Sequence, residues 1–239
     1  MKKRFPLRLV VRAAAIAALC AAATAQQPSL RAHVELTRGG HRLKDASQTV
    51  VWLSPIGAAV DAPRQNEIPK LIQKDKAFHP SLIVIPVGGK VEFPNHDPFF
   101  HNVFSLFEGK RFDLGLYESG TTRFVQFDKP GISFIFCNIH AQMSAEVIAL
   151  ATPYYAISNA RGELNIPNVP PGRYEMQVFH ASVAPEVLRA VSREITVAVG
   201  DTSIGTFTLA ETDVTMAHKN KYGKDYDRPD PDSPAYARP

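Results

Sequence analysis

Apolar residues stand in short runs along the chain, either alternating with polar ones or in unbroken groups, and glycine, proline or polar clusters separate the runs. Ala32-His33-Val34-Glu35-Leu36 alternates, Gly39-Gly40 marks a turn, and Thr49-Val50-Val51-Trp52-Leu53 follows. After a polar, proline-containing loop at 58–69 come Leu82-Ile83-Val84-Ile85, a Gly88-Gly89 turn, Lys90-Val91-Glu92-Phe93, Phe112-Asp113-Leu114-Gly115 and Thr122-Arg123-Phe124-Val125-Gln126-Phe127. Ile132-Ser133-Phe134-Ile135-Phe136 and Ala145-Glu146-Val147-Ile148-Ala149-Leu150 complete this stretch. The period of two and the turn punctuation predict strands. About eight short strands in about 80 residues predict a β-sandwich.

Beyond Leu150 the pattern continues with different punctuation. Arg161-Gly162-Glu163-Leu164-Asn165-Ile166 reads as a turn and a strand, and Pro170-Pro171-Gly172-Arg173-Tyr174-Glu175-Met176 as a rigid turn entering another. Glu194-Ile195-Thr196-Val197 and Thr206-Phe207-Thr208-Leu209 add two more. This second sandwich is short of strands. In one arrangement, residues 30–55 and 151–210 form a single discontinuous domain with 63–150 inserted. In the other, 30–55 are extra strands on the middle domain. From residue 211 the chain is charged, proline-containing and nearly free of aliphatic residues, and 211–239 reads as a flexible tail or one laid over a partner.

The candidate chemistry lies at the end of the Ile132–Phe136 run. Cys137-Asn138-Ile139-His140-Ala141-Gln142-Met143 places a thiol, an imidazole and a thioether within seven residues. The loop Pro94-Asn95-His96-Asp97-Pro98-Phe99-Phe100-His101-Asn102 supplies a second imidazole, His101. Two imidazoles, a thiolate and a weak axial thioether form the ligand set of a mononuclear blue copper site, so His101, Cys137, His140 and Met143 are the candidate metal ligands and one copper the candidate cofactor. Zinc could use the same imidazoles and thiolate, but a thioether suits copper better. A Cys–His nucleophile pair is the enzymatic alternative; no third orienting group or oxyanion-hole motif accompanies it, and no catalytic activity is expected. His96 reads as a loop histidine, and Trp52 as a core residue.

The Cys-x2-His-x2-Met spacing and the Phe-Pro-Asn…His-Asn-Val-Phe run resemble the ligand loops of the cupredoxin family, amicyanins in particular, across residues 72–150. Ala141 stands where amicyanins carry proline, which bears on the rigidity of the loop. The pairing with a downstream segment is similar to bacterial plastocyanin-like, or methylamine utilisation, proteins. The Pro-Pro-Gly-x-Tyr segment is similar to carboxypeptidase-regulatory, transthyretin-like sandwiches. The fold class expected is therefore all-β: a cupredoxin Greek-key sandwich at 63–150 plus a transthyretin-like one. The resemblance further implies that the Asn102 backbone ties its loop to the Cys137 sulfur, that His140 shows an imidazole edge to solvent, and that a periplasmic dehydrogenase or c-type cytochrome is the redox partner.

Charge changes the picture through the N-terminus. Lys2, Lys3, Arg4, Arg8 and Arg12 precede an apolar stretch at 13–23 that is too short to span a bilayer, and Ala23-Thr24-Ala25 is a small-x-small cleavage site. A signal peptide at 1–25, cleaved after Ala25, is expected. Leu19 before Cys20 is too bulky for a lipoprotein motif, so no stable membrane anchor is expected. Cleavage removes five basic residues and no acidic one, turning a formal +4 into −1; the basic balance belongs to the leader, and nucleic acid is not an expected partner. Cys137 is then the single cysteine, which in an oxidising compartment is either reactive or ligated. These features point to an exported, periplasmic protein carrying single electrons. The alternative is a copper-handling or envelope scaffold protein. Methionine occurs only four times, and the methionine-rich or histidine-rich tract that copper storage would favour is not there.

Overall fold

The computed structural model describes residues 29–58, 60–61, 63–106, 109–212 and 219–226. The expected leader and cleavage site, and His218, lie outside the described residues. Three strands come first: β1 (Leu30–Arg38), β2 (His41–Arg42) and β3 (Val50–Pro55). Nine follow: β4 (Ile72–Lys74), β5 (Ala77–His79), β6 (Leu82–Pro86), β7 (Lys90–Pro94), β8 (His101–Ser105), β9 (Phe112–Tyr117), β10 (Thr122–Gln126), β11 (Gly131–Phe136) and β12 (Ser144–Leu150). The last stretch holds β13 (Tyr155–Ile157), β14 (Glu163–Ile166), β15 (Gly172–Phe179), a short helix α1 (Pro185–Val191), β16 (Arg193–Val197) and β17 (Ser203–Ala210). The described residues are all-β apart from α1, which a period-two reading does not anticipate. It is two turns long, begins with proline at its first position, where the missing N–H costs nothing, and packs Val187, Leu188 and Val191 onto the neighbouring core.

The ladders sort the strands into two groups. One sheet runs β14-β1-β17 with β2 on β1, and another β13-β3-β15-β16. β1 pairs antiparallel with β14 and parallel with β17; β3 pairs antiparallel with β13 and β15. The first strands of the chain therefore join the last ones. Between their sheets lie Leu30, Val34, Leu36, Val51, Leu53, Leu164, Ile166, Met176 and Leu209, all buried. Gly162 is required where this sandwich closes: its φ is +80°, and a Cβ there would sit 1.9 Å from the Val34 carbonyl oxygen.

The middle strands form a sheet in the order β6-β12-β11-β8-β9, with β10-β7 and β4-β5 as separate pairs. Their side chains enclose a second core that includes Phe93, Val103, Phe127, Ile135, Cys137, Met143 and Val147. β12 is central, antiparallel to β11 and parallel to β6.

A third cluster joins the two groups. Ile148 and Leu150 of β12, with Leu82, Val84, Ile132 and Phe134, meet Val50 and Trp52 of β3 and Phe179 of β15. The Phe134 and Phe179 rings lie 6.1 Å apart, edge to face. Alternation along β3 sends Val51 and Leu53 into one core and Val50 and Trp52 into this junction. β12 likewise divides Ala145, Val147 and Ala149 from Ile148 and Leu150. Strands buried on both faces read as continuous apolar runs, which is how both appear in the sequence.

Candidate metal centre

β11 delivers Cys137 at its end, and β8 begins with His101. The antiparallel Phe136–Phe104 pairing of these strands carries Cys137 to a place opposite Val103, two residues from His101 on β8. The short loop after Cys137 folds back on itself: the Cys137 N–H donates to the Met143 carbonyl at 3.2 Å, and the Met143 N–H to the His140 carbonyl at 3.1 Å. Seven residues thus close around one point. His101, Cys137 and Met143 are fully buried, and Met143 belongs to the same core as Cys137.

Three donor atoms converge. Nδ1 of His140 lies 3.5 Å and Nδ1 of His101 3.7 Å from Cys137 Sγ, and the candidate ligand atoms all fall within 4.8 Å of one another. Metal–nitrogen and metal–sulfur bonds of about 2.0 and 2.3 Å, meeting at about 105–120°, separate N from S by about 3.4–3.7 Å. The observed spacings fit one ion held between them.

The His101 ring is set from behind. Its Nε2 lies 2.7 Å from Asp97 Oδ2, so Nε2 carries the proton and the Nδ1 lone pair faces the sulfur. Asp97 is itself held: its Oδ1 accepts the Asp75 N–H at 2.7 Å and its Oδ2 the Lys76 N–H at 3.0 Å. Asp75 and Lys76 form the turn between β4 and β5, both at positive φ, which aims successive N–H groups at one carboxylate. Asn95 fixes the rest of the loop, donating to the Phe99 carbonyl at 2.8 Å and accepting the Asp97 N–H at 3.0 Å.

Electrostatics follow from burial. Burial pushes the Asp97 carboxyl up, but the Lys76 N–H, His101 and the Asp75 N–H outweigh it and hold the group below its ordinary value. Burial holds His101 down against the pull of Asp97, so the close pair is a neutral imidazole donating to a carboxylate. His140 is pushed down to about 4, first by burial and then by the neighbouring His101 and Lys76. Burial raises the Cys137 thiol, opposed by backbone N–H groups of Asn102, Ile139 and His140 directed at the sulfur. Two neutral imidazoles and a sulfur that already receives three N–H groups suit a soft cation better than a proton. A buried thiol with a raised pKa is poorly suited to be a nucleophile.

Three of the four expected site residues, His101, Cys137 and His140, come together; Met143 is buried in the same core as Cys137, and the Asn102 backbone N–H bears on the sulfur. His96 is exposed and stands outside the cluster. Any solvent edge of His140 is narrow: the residue is 4% exposed. The Phe99 ring, 5.8 Å from the His140 ring and 5.2 Å from that of His101, packs against both. Asp97 is the functional residue that sequence reasoning missed. Its only trace was a carboxylate four residues before His101.

No protein-family model matches this chain, and no curated protein does. Solved structures similar to part of it include a Cu-containing nitrite reductase from Thermus scotoductus SA-01, at 23% identity and TM-score 0.34, over 41% of this chain and 26% of that one. A purple cupredoxin from Nitrosopumilus maritimus is 21% identical at TM-score 0.31, over 35% of this chain and 100% of its own. A reduced, Cu(I) form of an amicyanin mutant is 16% identical at TM-score 0.33, over 42% of this chain and 98% of its own.

Proposed function

We propose that this protein is a type 1 copper protein that carries single electrons in the periplasm, with no catalytic activity of its own. The observation that carries the reading is the pair of imidazole nitrogens 3.5 and 3.7 Å from the buried Cys137 sulfur. His101, Cys137 and His140 would hold the metal, with the buried Met143 thioether as a further, weaker donor. Copper, when bound, supplies a one-electron couple. The chain supplies a frame set before the metal arrives: Asp97 orients one ring, the Cys137–Met143 loop the other, and backbone N–H groups the sulfur. A frame held this firmly rearranges little between two oxidation states, as rapid outer-sphere transfer requires.

Exposed Phe100, Ala141 and Gln142 border the site, and they suit brief docking through a small interface with a periplasmic dehydrogenase or c-type cytochrome. The strand ladders support reading residues 30–55 and 151–210 as one sandwich with 63–150 inserted. Adding Cu(II) to metal-free protein tests the assignment. One equivalent should produce an intense visible absorption from the Cys137 thiolate. Cys137→Ser should abolish the band while far-ultraviolet circular dichroism stays unchanged. A colourless wild-type complex would refute it.

A further inference from the structure

The chain from Lys219 to Tyr226, expected as a flexible tail or one laid over a partner, lies against the candidate metal centre. It is organised on Asn220, whose Oδ1 accepts the N–H groups of Tyr222 and Lys224 at 3.0 and 3.1 Å, while its own N–H donates to the Lys224 carbonyl at 2.9 Å. Gly223, at φ +73°, supplies the left-handed residue of this turn. From the turn, three bonds reach the site. The Tyr226 hydroxyl donates to the Cys137 carbonyl at 2.7 Å, and the Lys221 N–H donates to Asn138 Oδ1 at 2.9 Å. The Lys221 ammonium pairs with Asp113 Oδ2 at 2.7 Å. Asp113 is not a bystander, since its Oδ1 accepts the side-chain N–H of Asn102 at 2.7 Å.

These bonds fall on the two arms that hold the sulfur. One arm is Asp113–Asn102, whose backbone N–H points at Sγ. The other is the loop whose Ile139 and His140 N–H groups do the same. We propose that residues 219–226 are part of the metal centre: Lys221 and Tyr226 are positioning residues that clamp both arms, hold the N–H groups on Cys137 and keep the ligand loop closed. The metal role rests on the copper reading above, whereas the clamping of the thiol does not.

The test uses the whole chain and two truncations, one ending at Thr212 and one at Tyr226, with the variants Tyr226→Phe and Lys221→Met. In metal-free protein, the rate at which an aromatic disulfide reagent modifies Cys137 reports opening of the loop. Tyr226→Phe should raise that rate about fivefold, the factor expected for one lost hydrogen bond. Ending the chain at Thr212 should raise it more than tenfold, and ending it at Tyr226 should leave it unchanged. Melting temperatures should move little, because the clamp is local. With Cu(II) bound, release to a chelator should accelerate in the same order, and Tyr226→Phe should shift the visible band. Equal thiol reactivity in the whole chain and the Thr212 truncation would overturn the proposal. So would equal effects of the two truncations, which would assign the shielding to residues 227–239. Should the wild type bind no copper, the copper reading fails while the thiol rates still decide whether the clamp exists.

Discussion

Asp97 and His101 form a buried pair, Oδ2 to Nε2 at 2.7 Å, and the same carboxylate caps the β4–β5 turn through the N–H groups of Asp75 and Lys76. One side chain thus ties a hairpin turn to the orientation of a ligand ring. Asp97→Asn keeps the size and one acceptor but removes the charge that draws three donors. We expect copper affinity to fall about 10- to 100-fold, the usual cost of losing the partner behind a ligating histidine. Chelator competition would measure this, with circular dichroism showing that the fold persists. Unchanged affinity would mean that the ring is held by packing alone.

Met143 is fully buried beside Cys137. An amide oxygen favours Cu(II) more than a thioether does, so Met143→Gln should lower the reduction potential. Cyclic voltammetry of the loaded protein reads this directly. A potential that stays or rises would remove Met143 from the axial position.

Glu146 is buried at the β6–β12 ladder, and burial raises its carboxyl from 4.5 to about 7. The folded state therefore holds a proton between pH 4.5 and 7 that the unfolded chain has released. Stability is fully present below pH 4.5 and falls as pH rises, by an amount on the order of 3 kcal/mol, levelling off above pH 7. Glu146→Gln should flatten this slope. Urea unfolding of both proteins at several pH values is the measurement, and parallel slopes would disprove the assignment.

The junction between the two strand groups is apolar and edge-to-face packed at Phe134 and Phe179. Phe179→Ala should destabilise the whole chain by about 3–5 kcal/mol. A fragment of residues 63–151 should still bind copper, since its ligands are internal. It bares Ile148, Leu150, Leu82 and Val84, however, and should associate through them, as light scattering would show. A fragment unable to bind copper would argue that the middle strands depend on the outer sandwich.

Local spacing along the chain determined much of the site. Cys137, His140 and Met143 lie on one loop after one strand, so residue types and intervals were enough to read them together. His101 was legible because its loop carries its own pattern. The strands were legible because alternation follows from a backbone that turns each side chain to the opposite face.

Tertiary packing decided what depended on distant segments. β3 and β12 read simply as apolar runs, and only the meeting of two sheets explains why both faces are buried. Asp97 gained its role because the β4–β5 turn docks on it from 22 residues away. His140 is left 4% exposed, with the Phe99 ring beside it. Tyr226 bonds to a carbonyl 89 residues earlier, from a segment whose composition suggested a flexible tail or one laid over a partner. Composition reports whether a segment can build a core of its own; it does not report whether a few polar groups can lie on a surface already folded, because the partners that hold them are set by the rest of the chain.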